Sequence, residues 1–193
     1  MSPSRAAAPP APVADPAATA GGLAVTIAEI SGADVDALRP ELTALYAACY
    51  AGPPWHEGER DVDRYAARLG TWAALDSFTG LTAHARAHDG DDAGPLVAAA
   101  YGWQGPPESQ GVPLPGIAAA RPFHLADLMV HPTAQRRGIG RTLLDRCTRG
   151  RRPAVLLTHP DAAARRLYEA AGWRCTGTVE LPATAPLLVY LLA

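Results

Sequence analysis

Apolar positions along the chain repeat with two different periods. Alternation in "LAVTIAEI", Leu23 to Ile30, predicts a strand with one buried face. Beyond Ser31-Gly32 the spacing lengthens: Val35, Leu38, Leu42, Leu45 and Tyr46 recur every three or four residues and predict a helix over 34–50. The segment "AGPPWHEGE" breaks it. Val62, Tyr65, Ala66 and Leu69 mark a second helical stripe over 59–75, with acidic residues in its first turn. The short period then returns in "FTGLTAHAR" and "PLVAAAYGWQ", two strands joined across the Gly/Asp-rich "AHDGDDAG". "GPPESQGVPLPGIAAARP" holds too much Pro and Gly for regular structure and reads as a long loop. After it come the strand "FHLADLMV", a helix over 138–148, the buried strand "PAVLLTH" and the helix "DAAARRLYEAAG", which Gly172 ends. "WRCTGTVEL" and "APLLVYLL" read as closing strands. The order is β-α-α-β-β-β-α-β-α-β-β, with no internal repeat.

Composition narrows the class. A chain of 193 residues, 48% hydrophobic, buries one sizeable core, so residues 23–193 are expected to form a single domain. Residues 1–22, rich in Pro and Ala and without a continuous apolar run, read as a disordered tail and not as a signal peptide. No run of about 18 apolar residues predicts a membrane span. The three cysteines, Cys49, Cys147 and Cys175, are widely spaced and lack metal-ligand spacing, so neither a disulfide framework nor a metal site is expected, and a reducing cytoplasm fits best. All seventeen basic residues are arginine, which with the Ala and Pro content fits a GC-rich bacterial genome. The net charge of -2 argues against a nucleic-acid partner. Arg149, Arg151 and Arg152 read as a solvated helix end, where positive charge suits the dipole.

The candidate chemistry lies in "LMVHPTAQRRGIGRTLL", Leu128 to Leu144. A strand that enters a Gly-containing turn and then a helix presents unpaired backbone N–H groups and the positive end of the helix dipole, which suits a phosphate. Glycine allows close approach and arginine adds charge. A Walker loop needs a lysine that this chain lacks, and a dinucleotide fingerprint needs a third glycine that "GIGRTL" does not supply.

"VHPTAQRRGIGRTLL" resembles the Q/R-x-x-G-x-G/A acyl-CoA motif of the GCN5-related N-acetyltransferase (GNAT) superfamily, and "DAAARRLYEAAGW" resembles that family's second motif. The resemblance implies an α/β GNAT fold with a mixed central sheet splayed between its fourth and fifth strands and flanked by helices. It implies acetyl-CoA as acyl donor and direct transfer to a primary amine of a small molecule or peptide. Gln135, Arg136, Arg137, Gly138, Ile139 and Gly140 would wrap the pyrophosphate, with Arg141, Asp161 and Ala164 completing the cofactor set. Leu128, Met129 and Val130 would pair through their backbone with the pantetheine arm, and an N–H near Met129 would polarise the thioester carbonyl. Tyr168 matches the family tyrosine beside the thioester sulfur, where its phenol would serve the departing thiolate. Asp161 stands where the second motif usually has asparagine; it is expected to cap a helix starting at Ala162.

An ammonium acceptor must lose a proton before attack. His124 is the first candidate base, because it matches, counted without gaps, a general-base glutamate in the histone-acetylating branch. Asp127 is the second and Glu57 the third. Trp55, His56, Glu57 and Trp103 are candidates for the acceptor pocket. Each has a plainer reading: His124 as a polar strand-edge residue, Asp127 as a cap or arginine partner, Tyr168 and the tryptophans as core. The acidic "WHEGERDVD" favours a cationic acceptor. A homodimer joined through "APLLVYLL" is one expectation for assembly. The competing function is a non-catalytic acyl-CoA-binding or regulatory module that keeps the pyrophosphate loop.

Overall fold

The computed structural model describes residues 18–20, 23–86, 93–118, 121–182 and 185–193. Its strands are β1 (Ala18–Ala20), β2 (Leu23–Ile30), β3 (Thr79–Arg86), β4 (Ala93–Gln104), β5 (Glu108–Ser109), β6 (Val112–Pro113), β7 (Phe123–Val130), β8 (Ala154–Thr158), β9 (Arg174–Val179) and β10 (Leu187–Leu192). The helices are α1 (Val35–Tyr50), α2 (Glu59–Ala73), α3 (Ile139–Cys147) and α4 (Arg165–Ala170). Every predicted helix and strand therefore has a counterpart. Ala18–Ala20, inside the stretch expected to be a disordered tail, pair with Leu23–Val25; residues 1–17 and 21–22 lie outside the described residues, as does most of the predicted β3–β4 connection.

Eight strands form one sheet in the order β1-β2-β3-β4-β7-β8-β10-β9. Neighbours run antiparallel except β7 and β8, which are parallel and pair at two positions only, Phe123 with Ala154 and His124 with Val155. From Leu125 onward β7 is laddered to β4 alone among the described pairs. β10, predicted as the dimer-forming strand, lies between β8 and β9 with both edges paired, so it has no free edge to offer a partner.

The amphipathic stripes place the helices. α1 and α2 bury Val35, Leu42, Leu45, Tyr46, Tyr65 and Leu69 against one face of the sheet, where they meet Leu96, Tyr101 and Met129. α3 and α4 cover the other face with Ile139, Leu143, Leu144 and Tyr168 over Phe123, Leu125 and Leu156. Burial of such side chains stabilises by about 1.5–3 kcal/mol each. The segment 105–122, expected to be irregular, contains the β5–β6 hairpin, and Leu114 within it is buried. Leu114, with Val112 and Ile117, packs on Val155, Val179 and Val189 as a third small core.

One irregularity on β7 shapes the site. Tyr101 pairs with Asp127 but Gly102 pairs with Leu125, so Ala126 is an extra residue, a β-bulge. A Cβ on Gly102 would lie 1.9 Å from the His124 carbonyl oxygen, so only glycine permits that close approach. Past the bulge the facing of β7 inverts. Phe123 and Leu125 face α3, and so do Leu128 and Val130, whereas Met129 faces α1 and α2. Asp127 joins the α1/α2 side, where strict alternation from Phe123 and Leu125 would have turned it toward α3.

Candidate active site

The turn after β7 folds back on itself. His131 donates its N–H to the Val97 carbonyl at 2.8 Å, Ala134 donates to His131 at 2.8 Å, and the Gln135 side chain donates to the Val130 carbonyl at 3.0 Å. Since His131 faces β4, alternation along an antiparallel ladder turns the main-chain groups of Met129 to β4 and those of Leu128 and Val130 away from it. The Gln135 bond to Val130 agrees with that assignment. The outward backbone donors are therefore Leu128 and Val130, one residue either side of the expected Met129. The Val130 N–H meets the Cys49 sulfur of α1.

Arg136 and Gly138 carry the chain into α3 with φ of 60° and 81°; Gly138 is the residue before the helix. The first backbone bond of the helix is Thr142 N–H to the Gly138 carbonyl, 3.0 Å, so the N–H groups of Ile139, Gly140 and Arg141 precede the internal ladder and point out of its end. Gly140 has a packing reason: a Cβ there would meet Val130 Cγ2 at 3.3 Å and Leu167 Cδ2 at 3.5 Å. Arg141 is engaged, with Nε 2.7 Å from Asp145 and a second donor 3.1 Å from the Ala170 carbonyl, tying α3 to α4.

Asp161 does not cap α4. Its side chain is 83% exposed, its N–H donates to His159 Nδ1 at 3.0 Å, and the helix starts at Arg165, with Ala164 before it. The intervening residues make turns instead, Ala162 N–H to His159 O and Arg165 N–H to Ala162 O, which leaves Asp161 outside the helical register. Ala164 accepts from the Tyr168 N–H at 3.1 Å and so places Tyr168 on the first turn.

Asp127 is the centre of the polar chemistry. Its Oδ1 accepts from the Tyr50 hydroxyl at 3.0 Å and its Oδ2 from the Tyr101 hydroxyl at 2.9 Å. Tyr101 in turn meets Tyr65, O to O 2.7 Å. Burial pushes the Asp127 carboxyl up to about 6, against the pull of the two phenol donors and of Arg68. Glu57, the third base candidate, accepts from the Tyr46 hydroxyl and adds to the negative field on Asp127. Tyr168 is buried, and its phenol is pushed up first by burial and then by the Asp127 charge, so it stays protonated. Asp127 thus lies within electrostatic reach of both Glu57 and Tyr168.

His124 lies elsewhere. Its ring stacks on Trp103 at 5.9 Å, Trp103 stacks on Trp72 at 4.9 Å, and Arg68 sits 5.7 Å over Trp72. Nε2 of His124 is 2.7 Å from the Pro106 carbonyl, and burial pushes its pKa down. Three residues of strand separate it from Asp127, roughly 10 Å. Trp103 belongs to this stack and not with Trp55. Trp55 packs on Tyr50 at 5.3 Å and on His159 at 5.7 Å, so the 51–58 loop reaches from the end of α1 to the end of β8. His56 is exposed, with φ of 51°. The residues that pattern reading missed are Tyr50, Tyr65, Tyr101 and His159. The tyrosines were legible only as helix and strand core, and their convergence depends on the bulge.

An acetyltransferase (GNAT) domain family matches residues 98–175, the span from β4 to β9 that contains the turn, α3 and α4. The chain has the GNAT acetyltransferase fold. Among solved structures, an aminoglycoside N-acetyltransferase, AAC(6')-Iy in complex with CoA, superposes with a TM-score of 0.59 at 16% identity, over 84% of this chain and 96% of that one. Arabidopsis thaliana NAA60 in complex with acetyl-CoA gives 0.59 at 13%, over 87% and 97%. An acetyltransferase from Thermus thermophilus gives 0.54 at 18%, over 87% and 96%. No curated protein matches the chain by sequence. No described helix is long and apolar enough to cross a membrane.

Proposed function

We propose that the protein transfers an acetyl group from acetyl-CoA directly to the amine of a small molecule or peptide. The observation that carries this reading is Asp127: a carboxylate pushed up to about 6, held by two phenols on the strand whose outer edge β8 leaves unpaired, beside Tyr168. The short β7–β8 ladder supports a splay that would admit the pantetheine arm, which would pair with the outward groups of Leu128. The Gln135–Gly140 turn and the free N–H groups of α3 suit the pyrophosphate. Gln135 and Gly140 act there through support, since Gln135 braces Val130 and Gly140 seats the helix against Val130 and Leu167.

In this reaction Asp127 takes the proton from the acceptor's ammonium, the freed amine attacks the acetyl carbonyl, the C–S bond breaks as Tyr168 gives its phenol proton to the departing thiolate, and the phenolate recovers a proton from the nitrogen of the new amide. A backbone donor on the open edge, the Leu128 N–H by its facing, would meet the charge that develops on the carbonyl oxygen. Trp55, Tyr50 and Glu57 form the acceptor side, and their negative and aromatic character favours a cation. No cysteine is needed: burial pushes the thiols of Cys49 and Cys147 up to about 12, which keeps them protonated and poorly nucleophilic. The free cysteines fit a cytoplasmic setting.

The test is CoA release from acetyl-CoA across a panel of polyamines, amino sugars and peptide amines. Saturable release that depends on the amine is expected. Tight CoA binding by calorimetry with no turnover on any amine would establish the non-catalytic module instead.

A further inference from the structure

We propose that Tyr50 and Tyr101 are positioning residues that hold Asp127 in the orientation and ionisation needed for proton transfer, with Tyr65 fixing Tyr101. This rests on Asp127 being the proton acceptor. The three tyrosines come from three different elements, α1, β4 and α2; Tyr50 and Tyr101 reach the carboxylate directly and Tyr65 through Tyr101. Each phenol has a single proton, so the direction of the chain is determined. Tyr101 donates to Asp127, and the 2.7 Å contact between the two phenols must then be filled by the Tyr65 proton. Tyr65 and Tyr101 are both 0% exposed, which leaves neither ring free to turn away.

One oxygen of Asp127 is tied to α1 and the other to β4, so the carboxylate plane is fixed. An ionised carboxylate has about four acceptor sites. Two are taken, and those that remain are available to an ammonium. The groups around it are Tyr46, Cys49 and Tyr50 from α1, Glu57 from the following loop, Tyr65 and Arg68 from α2, Tyr101 from β4 and Tyr168 from α4. Arg68 is the cation in this set, and it is exposed and acts at a distance. Two neutral hydrogen bonds therefore do most of the work of keeping Asp127 ionisable against its burial. Burial pushes both phenols well above their usual range, so they remain donors wherever the enzyme works.

The hydroxyls affect the base in a way that a packing role would not. Tyr101→Phe keeps the ring and removes one donor to the ionised form. The ascending limb of the kcat/KM profile should then move up by about one pH unit, as expected for loss of a hydrogen bond to a charged group. Tyr50→Phe should move it in the same sense, and Tyr65→Phe by less, because its bond reaches Asp127 only through Tyr101. Acetyl-CoA affinity should stay within about twofold. The profiles are measured alongside Asp127→Asn, and the Asp127 carboxyl is titrated directly by carbon NMR in chain labelled at the aspartate Cγ, which does not require an active variant. Upward shifts in the three Tyr→Phe variants, with loss of the limb in Asp127→Asn, are the expected result. A limb and a carboxyl titration at their wild-type positions in Tyr50→Phe and Tyr101→Phe would overturn the positioning role while leaving Asp127 as base. A limb that survives Asp127→Asn would overturn the base, and the positioning role with it.

Discussion

Asp127 is costly to the fold in the form that the proposed chemistry requires. Burial pushes its carboxyl up to about 6 from an ordinary value of 3.8. The folded state therefore binds the proton more tightly than the unfolded state. Above about pH 6 the ionised side chain destabilises the fold, and the penalty fades as pH falls toward 4. Asp127→Asn should accordingly raise the melting temperature at pH 8, by an increment equivalent to about 1–3 kcal/mol, and the gain should shrink at pH 5. Calorimetric scans of both chains at the two pH values check this; equal melting temperatures at pH 8 would contradict the burial argument. Asp127 was legible in the sequence as an acid on the right strand, but its partners were not. Counting alternate residues from Phe123 sends its side chain toward α3, and the bulge at Ala126 reverses that. His124 ranked ahead of it because ungapped counting ignores such a bulge, and the structure puts His124 in an aromatic stack.

At the scale of elements, the pattern located the strand–turn–helix junction after β7 well, because two glycines and a Pro between a strand and a helix leave few alternatives. The two glycines differ in physical role. Gly138 has a φ of 81°, a conformation that a β-branched residue adopts only at a cost of about 1–3 kcal/mol, whereas Gly140 is helical and gives way to Val130 and Leu167. Gly138→Val should weaken CoA binding by at least tenfold in calorimetric titration while the chain remains folded by circular dichroism. Unchanged CoA affinity in a folded variant would remove the turn from the cofactor site. The second motif was read less well. "DAAARRLYEAAG" looks helical throughout, yet its first residues spend their hydrogen bonds on turns around His159, so α4 is short and Asp161 stays exposed. Helix propensity alone does not reveal that competition.

Over the whole molecule, the order of strands and helices followed from hydrophobic period, because each helix has one apolar stripe and the strands, including β4 and β7 with a core on each face, are short apolar runs bounded by turn residues. The third core did not follow. Val112, Leu114 and Ile117 sit among so many Pro and Gly residues that no period survives, and only their contact with Val155, Val179 and Val189 explains why a loop carries them. The two main cores hold β7 between them, with Asp127 and its tyrosines on the α1/α2 side and Tyr168 in the core under α3 and α4. In the proposed reaction acetyl-CoA would lie along the edge of β7 that β8 leaves unpaired and meet the amine at Asp127. The most direct measurement of that account is kcat/KM against pH with a good amine acceptor, for wild type, Asp127→Asn and His124→Ala. The account predicts a limb rising through an apparent pKa near 6 in wild type and in His124→Ala, and loss of that limb in Asp127→Asn with a rate lower by on the order of 10²-fold. A limb that disappears in His124→Ala and persists in Asp127→Asn would contradict it.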